Sequence, residues 1–453
     1  MPCSATLSQL VEVLSALPAN LSEAALAQLG SGMQTDTRAI KPGEVFVALR
    51  GEKFDGHEFV SMAFEKGASA AIVDFQYQNP GFPVLQVNDT LEAYQKIARW
   101  WRDRFDIPVI GVTGSVGKTT TKEIIAAVLA TQGRVHKTHA NFNNEIGVPK
   151  TLQQLSAEDD YAVVEMAMRG AGQIAELTLI SRPTIGVITN VGTAHIELLG
   201  SREAIAQAKC ELLAHMPKDG VAVLNYDNPL LIYTAAKVWQ GKTLTYGLSG
   251  GDIQGKLIDG ETLEVAGMQL PLPLPGRHNA TNFLAALGVA QVLNIDWSSL
   301  RTGVIVDMPS GRSQRFTLPQ DVVILDETYN AAPEAMVAAL HLLAETPGKR
   351  HIAVLGAMKE LGTRSHQLHQ QVGETVRELK LDALMVLNDG ADTETIVQGA
   401  SGVPTECFAT HAELVASLKE FVKQGDRILF KAAHSVGLDR VVSQFRAEFS
   451  PTV

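Results

Sequence analysis

The chain is poor in cysteine, in aromatic side chains and in positive charge, and it has no long apolar run. Its three cysteines, Cys3, Cys210 and Cys407, are far apart and odd in number. They form no metal-ligand spacing and fit a reducing compartment. Lys and Arg total 38 against 49 Asp and Glu, a net charge of −11. That balance argues against a nucleic-acid partner held by a general basic surface. It leaves room for anionic small ligands, because a local site can be positive on an acidic protein. No run approaches the ~18 apolar residues of a membrane helix. The opening "MPCSATLSQL" lacks a basic segment followed by an apolar core. The expectation is a cytoplasmic protein with no membrane insertion. What remains is ordinary for a globular chain, 45% hydrophobic and 19% charged over 453 residues, long enough for roughly two to four domains.

The texture changes twice along the chain. "LSQLVEVLSAL" places Leu7, Leu10, Val11, Leu14 and Leu17 on one helical face. The β-rich runs "GEVFVALRG" and "GASAAIVD" follow, then a long helix, "LEAYQKIARWWRDRF", that stops before Pro108. Residues 1–106 read as a small α/β domain. In 107–311, continuous apolar strands such as "IPVIGVTG", "YAVVEMAM" and "TIGVITNVG" alternate with helices, the mark of a parallel sheet buried on both faces. Pro309 and Gly311 in "DMPSGRSQRF" break the rhythm. Residues 312–453 resume it with "DVVILDETYN", "HIAVLGAM" and "RILFKAAHS". The expected architecture is three α/β domains, the second and third with parallel sheets, whose sites gather at the carboxyl ends of strands.

"IGVTGSVGKTTTKE" sits between a strand and a helix, the context of a phosphate loop. It does not scan as G-x-x-x-x-G-K-[ST], because Val112 stands where the first glycine belongs. Gly114 and Gly117 would let the backbone approach phosphate, and the helix start offers free N–H groups. Lys118 would reach the β- and γ-phosphates, and the Thr119 hydroxyl would meet Mg²⁺. The bland alternative is a plain turn with Lys118 in water.

Three further residues carry both a bland and a chemical reading. Glu165 ends an apolar strand, where a carboxylate must be paired, metal-bound or at an open strand end. His195 follows another strand and on its own reads as a hydrogen-bonded loop histidine. Lys209 lies on a helix, where a solvated face is the default. In "LPGRHNATNFLAA", Asn279 and Asn282 are one helical turn apart on one face.

The loop "TGSVGKTTT" resembles the shorter T-G-x-x-G-K-T form of the Mur ligase and folylpolyglutamate synthase superfamily, whose members join a carboxylate to an amine at the expense of ATP. The resemblance implies a P-loop central domain and a Rossmann-like third domain that completes the ATP site. It implies ATP contacts from Thr113, Gly114, Ser115, Gly117, Lys118, Thr119 and Thr120. Two Mg²⁺ ions are implied, served by Thr119, Glu165, His195 in its "NVGTAH" setting, and Lys209. In the similar "AKxE" segment of the family that lysine is carboxylated, so N6-carboxylysine is expected at Lys209. "GRHNATN" resembles the family's adenine element, and Arg312 in "SGRSQRF" its interdomain phosphate arginine. "LDETYNAAPEAM" resembles D-D-[ST]-Y-N-A-N-P. It brings Asp326, Glu327, Tyr329 and Asn330 to the ATP site, with Glu327 and Ala332 departing from the pattern and the choice between Asp326 and Glu327 open.

The substrate side follows the same resemblance. "TDTRAIKPGEVFVALRGEKFDGHEF" looks like the nucleotide-sugar domain of the later-acting ligases, implicating Thr35, Asp36, Thr37, Arg38, Arg50, Gly51, Asp55, Gly56 and His57. "HANFNNEIGVP" resembles the loop N-x-N-N-x-x-G-x-P, with Asn141, Asn143 and Asn144. "LFKAAHSVGLDRVV" resembles K-G-S-R-x-x-x-[ML]-[ED], keeping Lys431 and Ser435 but placing His434 where relatives have Arg. "VLGAMKELG" favours the dipeptide-adding branch, and no D-N-P-R stands in the carboxyl-terminal domain. The implied substrates are UDP-MurNAc-tripeptide and D-Ala-D-Ala, on a monomer. A third-residue-adding Mur ligase or a folylpolyglutamate-type ligase is the alternative; a nucleotide-binding regulator without ligation is disfavoured by the Glu165, His195 and Lys209 set.

Overall fold

The computed structural model describes residues 3–51 and 53–449; Met1 and Pro2 of the amino-terminal reading lie outside them. Three sheets in successive stretches of chain define three domains. The first contains β1 (Leu17–Ala19), β2 (Met33–Gln34), β3 (Val45–Val47), β4 (Ala70–Asp74) and β5 (Val84–Val87), in the order β1-β5-β4-β3-β2. Only its β1–β5 pair is antiparallel.

The second sheet has β6 (Val109–Thr113), β7 (Val135–Lys137), β8 (Tyr161–Glu165), β9 (Ile185–Ile188), β10 (Val221–Asn225), β11 (Lys242–Gly247), β12 (Ile253–Asp259), β13 (Thr262–Val265) and β14 (Met268–Pro271), in the order β14-β13-β12-β11-β10-β9-β6-β8-β7. The third has β15 (Gln314–Leu318), β16 (Val322–Asp326), β17 (Arg350–Leu355), β18 (Ala383–Leu387), β19 (Thr405–Phe408) and β20 (Asp426–Lys431), in the order β15-β16-β20-β17-β18-β19. There only the edge strand β15 runs antiparallel to its neighbour.

Helices on both faces of the central sheet explain why β6 and β9 are buried at every position and, Thr113 aside, carry no polar side chain. The helix Lys118–Leu129 is enclosed between that sheet and the helix Arg277–Val292. The helix Thr90–Arg102 starts at Asp89, whose carboxylate accepts from the Leu91 and Glu92 amides. It serves two domains. Its buried face, with Tyr94 and Ile97, belongs to a core that runs from Val47 and Ile72 to Leu152 and Leu177. Trp101 Nε1 donates to the Leu155 carbonyl at 3.0 Å, and Arg102 Nε to that of Ser181 at 2.9 Å. Each apolar side chain fully buried there contributes about 1.5–3 kcal/mol, so the sheets change near residue 107 while the core continues.

The central sheet departs from the expected wholly parallel form. β12–β14 extend it as an antiparallel meander. The turns are Gly260-Glu261 and Ala266-Gly267, the latter with both φ positive at 49° and 73°. This is the backbone that two-residue hairpins demand.

Candidate active site

Register places the expected chemistry on one edge. Val112 pairs with Glu165 and Thr113 with Ile188, so β6, β8 and β9 end side by side. The loop after β6 is held by the segment leaving β9: Ser115 N–H donates to the Asn190 carbonyl at 3.1 Å, and Val116 N–H to Asn190 Oδ1 at 3.0 Å. A Cβ on Gly114, where φ is +154°, would lie 1.9 Å from Thr189 Oγ1. One on Gly117, where φ is +81°, would lie 2.9 Å from Asn282 Oδ1. The two glycines are therefore required by close approach as well as by backbone conformation. Ser115 Oγ accepts from Gly192 N–H at 2.9 Å. Thr113 Oγ1 donates to the Met166 carbonyl at 2.9 Å, and Thr119 and Thr120 are buried in the first helical turn.

Lys118 Nζ donates to the carbonyls of Gly114 and Ser115 at 2.8 and 3.2 Å. Burial pushes its amine down to about 8, with the charge of Arg312 adding to the effect and Glu165 opposing it. The charge of Lys118 in turn acts on His195 and on Lys209. Lys118 is thus within electrostatic range of Glu165, His195 and Lys209. Lys209 is 1% exposed, and burial holds its amine far below the ordinary lysine value. For His195, burial and Lys118 lower the imidazole while Glu360 pulls it upward.

Glu165 is 1% exposed at the end of β8. Its Oε1 accepts from Asn143 Nδ2 at 2.7 Å, whereas Oε2 is buried without a donor. The nearest cation is the Lys122 ammonium, 3.9 Å from Oε2. Lys122 is fully buried and gives its hydrogens to the Thr138 carbonyl at 2.7 Å and to Glu123 at 2.8 Å. Of the asparagine loop, Asn143 meets Glu165, Asn144 Oδ1 caps Gly147 N–H at 2.9 Å, and Asn141 is exposed. Among the described residues no three His, Cys, Asp or Glu side chains converge as a metal cluster. The expected set supplies only two of those types, Glu165 and His195.

Asn279 and Asn282 are buried and bonded to each other, Asn282 Nδ2 donating to Asn279 Oδ1 at 3.2 Å. Thr121 Oγ1 donates to Asn282 Oδ1 at 3.2 Å, which ties the helix to the one behind the loop.

In the third domain Asp326 pairs with Phe430 and Leu355 with Lys431, so β16, β20 and β17 also end together. Asp326 is committed locally: its Oδ1 accepts from the Thr328 hydroxyl at 2.6 Å, and burial raises its carboxyl above the usual value. Glu327 is half-buried, and its charge acts on His278 of the central domain and on Lys431. Lys431 Nζ donates to the carbonyls of Asn330 at 2.9 Å and Glu327 at 3.3 Å. Arg312 lies 3.8 Å over the Tyr329 ring, which stacks on His434 at 5.5 Å between centroids. His434 and Ser435 are exposed.

The first-domain residues form a separate cluster at the carboxyl ends of β2, β3 and β4. Arg50 pairs with Asp55 at 2.5 Å and with Asp74 at 2.7 Å. His57 Nε2 accepts from the Asp74 amide at 3.0 Å, so its proton sits on Nδ1, which donates to Asp55 at 2.6 Å. Gly51 N–H donates to the Phe54 carbonyl at 2.9 Å, and Gly56 N–H to that of Leu49 at 2.8 Å. Arg38 holds the Asp36 carboxylate down to about 2. Lys150, in the helix after the asparagine loop, also acts on Asp36, so the cluster faces the central domain. Thr35 N–H donates to Gln34, and Thr37 gives its carbonyl to Lys66 Nζ at 2.9 Å.

Residue-by-residue reading passes over Lys122, Asn190, Glu334 and Glu360. Lys122 and Asn190 flank motif residues in "KTTTKE" and "ITNVG"; the burial of Lys122 and the contacts of Asn190 with the loop have no one-dimensional mark. Glu334 and Glu360 act across the domain junction, which no local pattern encodes.

Comparison with known proteins finds three family models along the chain. Residues 31–101 match the model described as "Mur ligase family, catalytic domain", 112–290 the "Mur ligase middle domain", and 311–434 the "Mur ligase, glutamate ligase domain". The UDP-N-acetylmuramoyl-tripeptide–D-alanyl-D-alanine ligase of Synechocystis sp. is 59% identical over 92% of both chains. The ligase of that name from Escherichia coli is 35% identical over 97% of this chain and 98% of its own. Among solved structures, MurF from Acinetobacter baumannii superposes with a TM-score of 0.88 at 28% identity, covering 99% of this chain and 100% of that one. MurF ligase from Thermotoga maritima in complex with ADP gives 0.83 at 32% identity, covering 92% and 97%. On these matches, which span all three domains, the chain belongs to the Mur ligase family.

Proposed function

We propose that this chain is an ATP-dependent ligase that joins D-alanyl-D-alanine to UDP-N-acetylmuramoyl-tripeptide, giving the pentapeptide precursor of peptidoglycan. The observation that carries the reading is the short phosphate loop at the end of β6, beside Glu165 at the end of β8 and with Lys118 in electrostatic range of His195, in a chain 59% identical to a ligase of that name.

The tripeptide carboxylate is a poor electrophile. One of its oxygens attacks the γ-phosphorus of ATP, the bond to ADP breaks, and an acyl phosphate forms. The dipeptide amine then attacks the acyl carbon, loses a proton, and phosphate leaves. Such transfer requires positioning and charge neutralisation above all. Lys118 and the N–H groups opening its helix bind phosphate, the lysine exchanging loop carbonyls for phosphate oxygens. Mg²⁺, when bound, neutralises charge on the transferring phosphoryl group. Thr119, Glu165 and His195 would hold it, and the donor-free buried Oε2 of Glu165 fits a cation. Burial holds the Lys209 amine well below the ordinary lysine value, the direction that favours reaction with CO₂, and its carboxylated form would serve a second ion.

Asn279 and Asn282 present the adenine surface, while Arg312, Tyr329, Asn330 and Glu327 close on the nucleotide from the third domain. Glu327 is favoured over Asp326 because the latter is spent on Thr328. The first-domain cluster from Thr35 to His57 takes the nucleotide sugar, and the asparagine loop leads its peptide towards Glu165. Lys431, His434 and Ser435 are the dipeptide side. No helix of the described residues is long and apolar enough to cross a membrane, and the proposed contacts all come from this chain. A cytoplasmic monomer is therefore the assembly proposed.

ADP release measured with each substrate omitted in turn, and the product weighed by mass spectrometry, tests the function. Release that needs both substrates, with pentapeptide as product, is expected; release indifferent to the dipeptide overturns it. Tripeptides ending in diaminopimelate or lysine then identify the accepted third residue.

A further inference from the structure

Two third-domain carboxylates grip the loop that carries His195. Glu334 Oε1 accepts from Thr193 N–H at 2.7 Å and from its hydroxyl at 3.0 Å. Its Oε2 is buried at the junction without a donor. Glu360 Oε2 meets His195 Nδ1 at 2.5 Å, and a carboxylate can only accept, so Nδ1 bears the proton. Both partners of this bond are non-glycine residues in the left-handed region, His195 at φ 65° and Glu360 at φ 61°. Such backbone persists where the surroundings over-determine it and gathers at functional sites. The contact reaches from the helix Ile196–Leu199 to the 3₁₀ turn Gly362–Arg364 of the other domain.

We infer that Glu360 is a positioning residue for catalysis: from across the domain junction it fixes the tautomer and orientation of His195, with Glu334 steadying the same loop, and so couples docking of the third domain to completion of the metal site. The inference rests on the reading of His195 as a Mg²⁺ ligand. With Nδ1 engaged, Nε2 is the nitrogen left to ligate. A carboxylate behind a ligating histidine raises its basicity and holds its ring, and losing such a partner costs about 10–100-fold in metal affinity or activity. A plain surface ion pair would matter far less. The arrangement also gives a physical reason for catalysis to wait on the third domain: until it docks, the histidine lacks its partner.

The test compares Glu360→Gln, which keeps an acceptor at the same length, with Glu360→Met, which has the length and no acceptor. Mn²⁺ affinity in the presence of ADP is read by electron paramagnetic resonance, alongside kcat and KM. For Glu360→Met the expectation is about 10–100-fold weaker Mn²⁺ binding and a comparable fall in kcat, with KM for UDP-MurNAc-tripeptide unchanged; Glu360→Gln recovers most of both losses. Unchanged Mn²⁺ affinity in Glu360→Met overturns the inference, as does a Gln variant no better than Met. A clasp that only holds the domains together would raise KM for ATP and dipeptide and leave Mn²⁺ affinity alone. Glu360 is 38% exposed in its side chain, so both variants should fold, and melting curves verify it. If the wild-type chain makes no pentapeptide, the functional reading fails, and the Mn²⁺ titration still decides the role of Glu360.

Discussion

Replacing Asn143 with alanine removes one hydrogen bond whose cost can be worked out from the structure. Asn143 Nδ2 is the donor to Glu165 Oε1, at 2.7 Å, on a carboxylate that is 1% exposed. The other oxygen already lacks a donor; the Lys122 ammonium is 3.9 Å away and the charge of Lys118 also acts on the carboxylate. A hydrogen bond to a charged group contributes about 1.5–3 kcal/mol, and the stranded acceptor makes the upper end appropriate. In a domain of the size of this central one, each kcal/mol moves the melting temperature by roughly 2–4 °C. Asn143→Ala should therefore melt roughly 6–12 °C below the wild type in calorimetry. Asn141→Ala, exposed in the same loop, is the control and should stay within about 0.5 kcal/mol. Asn143→Ala should also lose ligase activity, because it frees the loop that leads substrate to Glu165. A melting temperature within about 1 °C of the wild type would show that this bond does not hold the buried carboxylate.

Lys118→Ala should lose most of the turnover, and near-normal ligation would refute the loop assignment. Because the Lys118 amine titrates at about 8 rather than near the ordinary lysine value, its cationic form is lost as pH rises through that point. A kcat/KM profile should accordingly show a falling limb near pH 8, absent if phosphate binding does not use Lys118. Activity should drop in CO₂-depleted buffer and return with bicarbonate if Lys209 is carboxylated; a constant rate in well-depleted buffer sinks that role. Far from the site, Arg350 clamps the fully buried Asp426 at 2.6 and 2.9 Å. Arg350→Ala removes the cationic partner of that carboxylate and leaves it the Lys423 amide at 2.7 Å; it should cost about 3–5 kcal/mol in denaturant unfolding, while a change under about 1 kcal/mol would contradict the pairing.

The parts legible in the sequence are those written by local rules. Buried parallel strands announce themselves as continuous apolar runs, and β6, β8, β9 and β16 lie where such runs stand. The phosphate loop is legible because its glycines meet a local demand for close approach and positive φ. The meander β12–β14 is not, although Asp259-Gly260 signals a turn, because the surrounding βα rhythm suggests parallel strands only. Lys122 shows a different limit. It is a lysine on a helix, ordinarily a solvated residue, yet it is fully buried because that helix is covered on both sides by elements distant in sequence. Glu334 and Glu360 are the extreme case, since their meaning lies in a surface of another domain.

The most direct measurement of the central claim is isotopic. UDP-MurNAc-tripeptide labelled with heavy oxygen in its terminal carboxylate is incubated with ATP and D-Ala-D-Ala, and the released phosphate is analysed by mass spectrometry. Carboxylate activation by phosphoryl transfer predicts that one labelled oxygen appears in the phosphate for each pentapeptide formed. Unlabelled phosphate, or ATP hydrolysis without pentapeptide, would contradict the account.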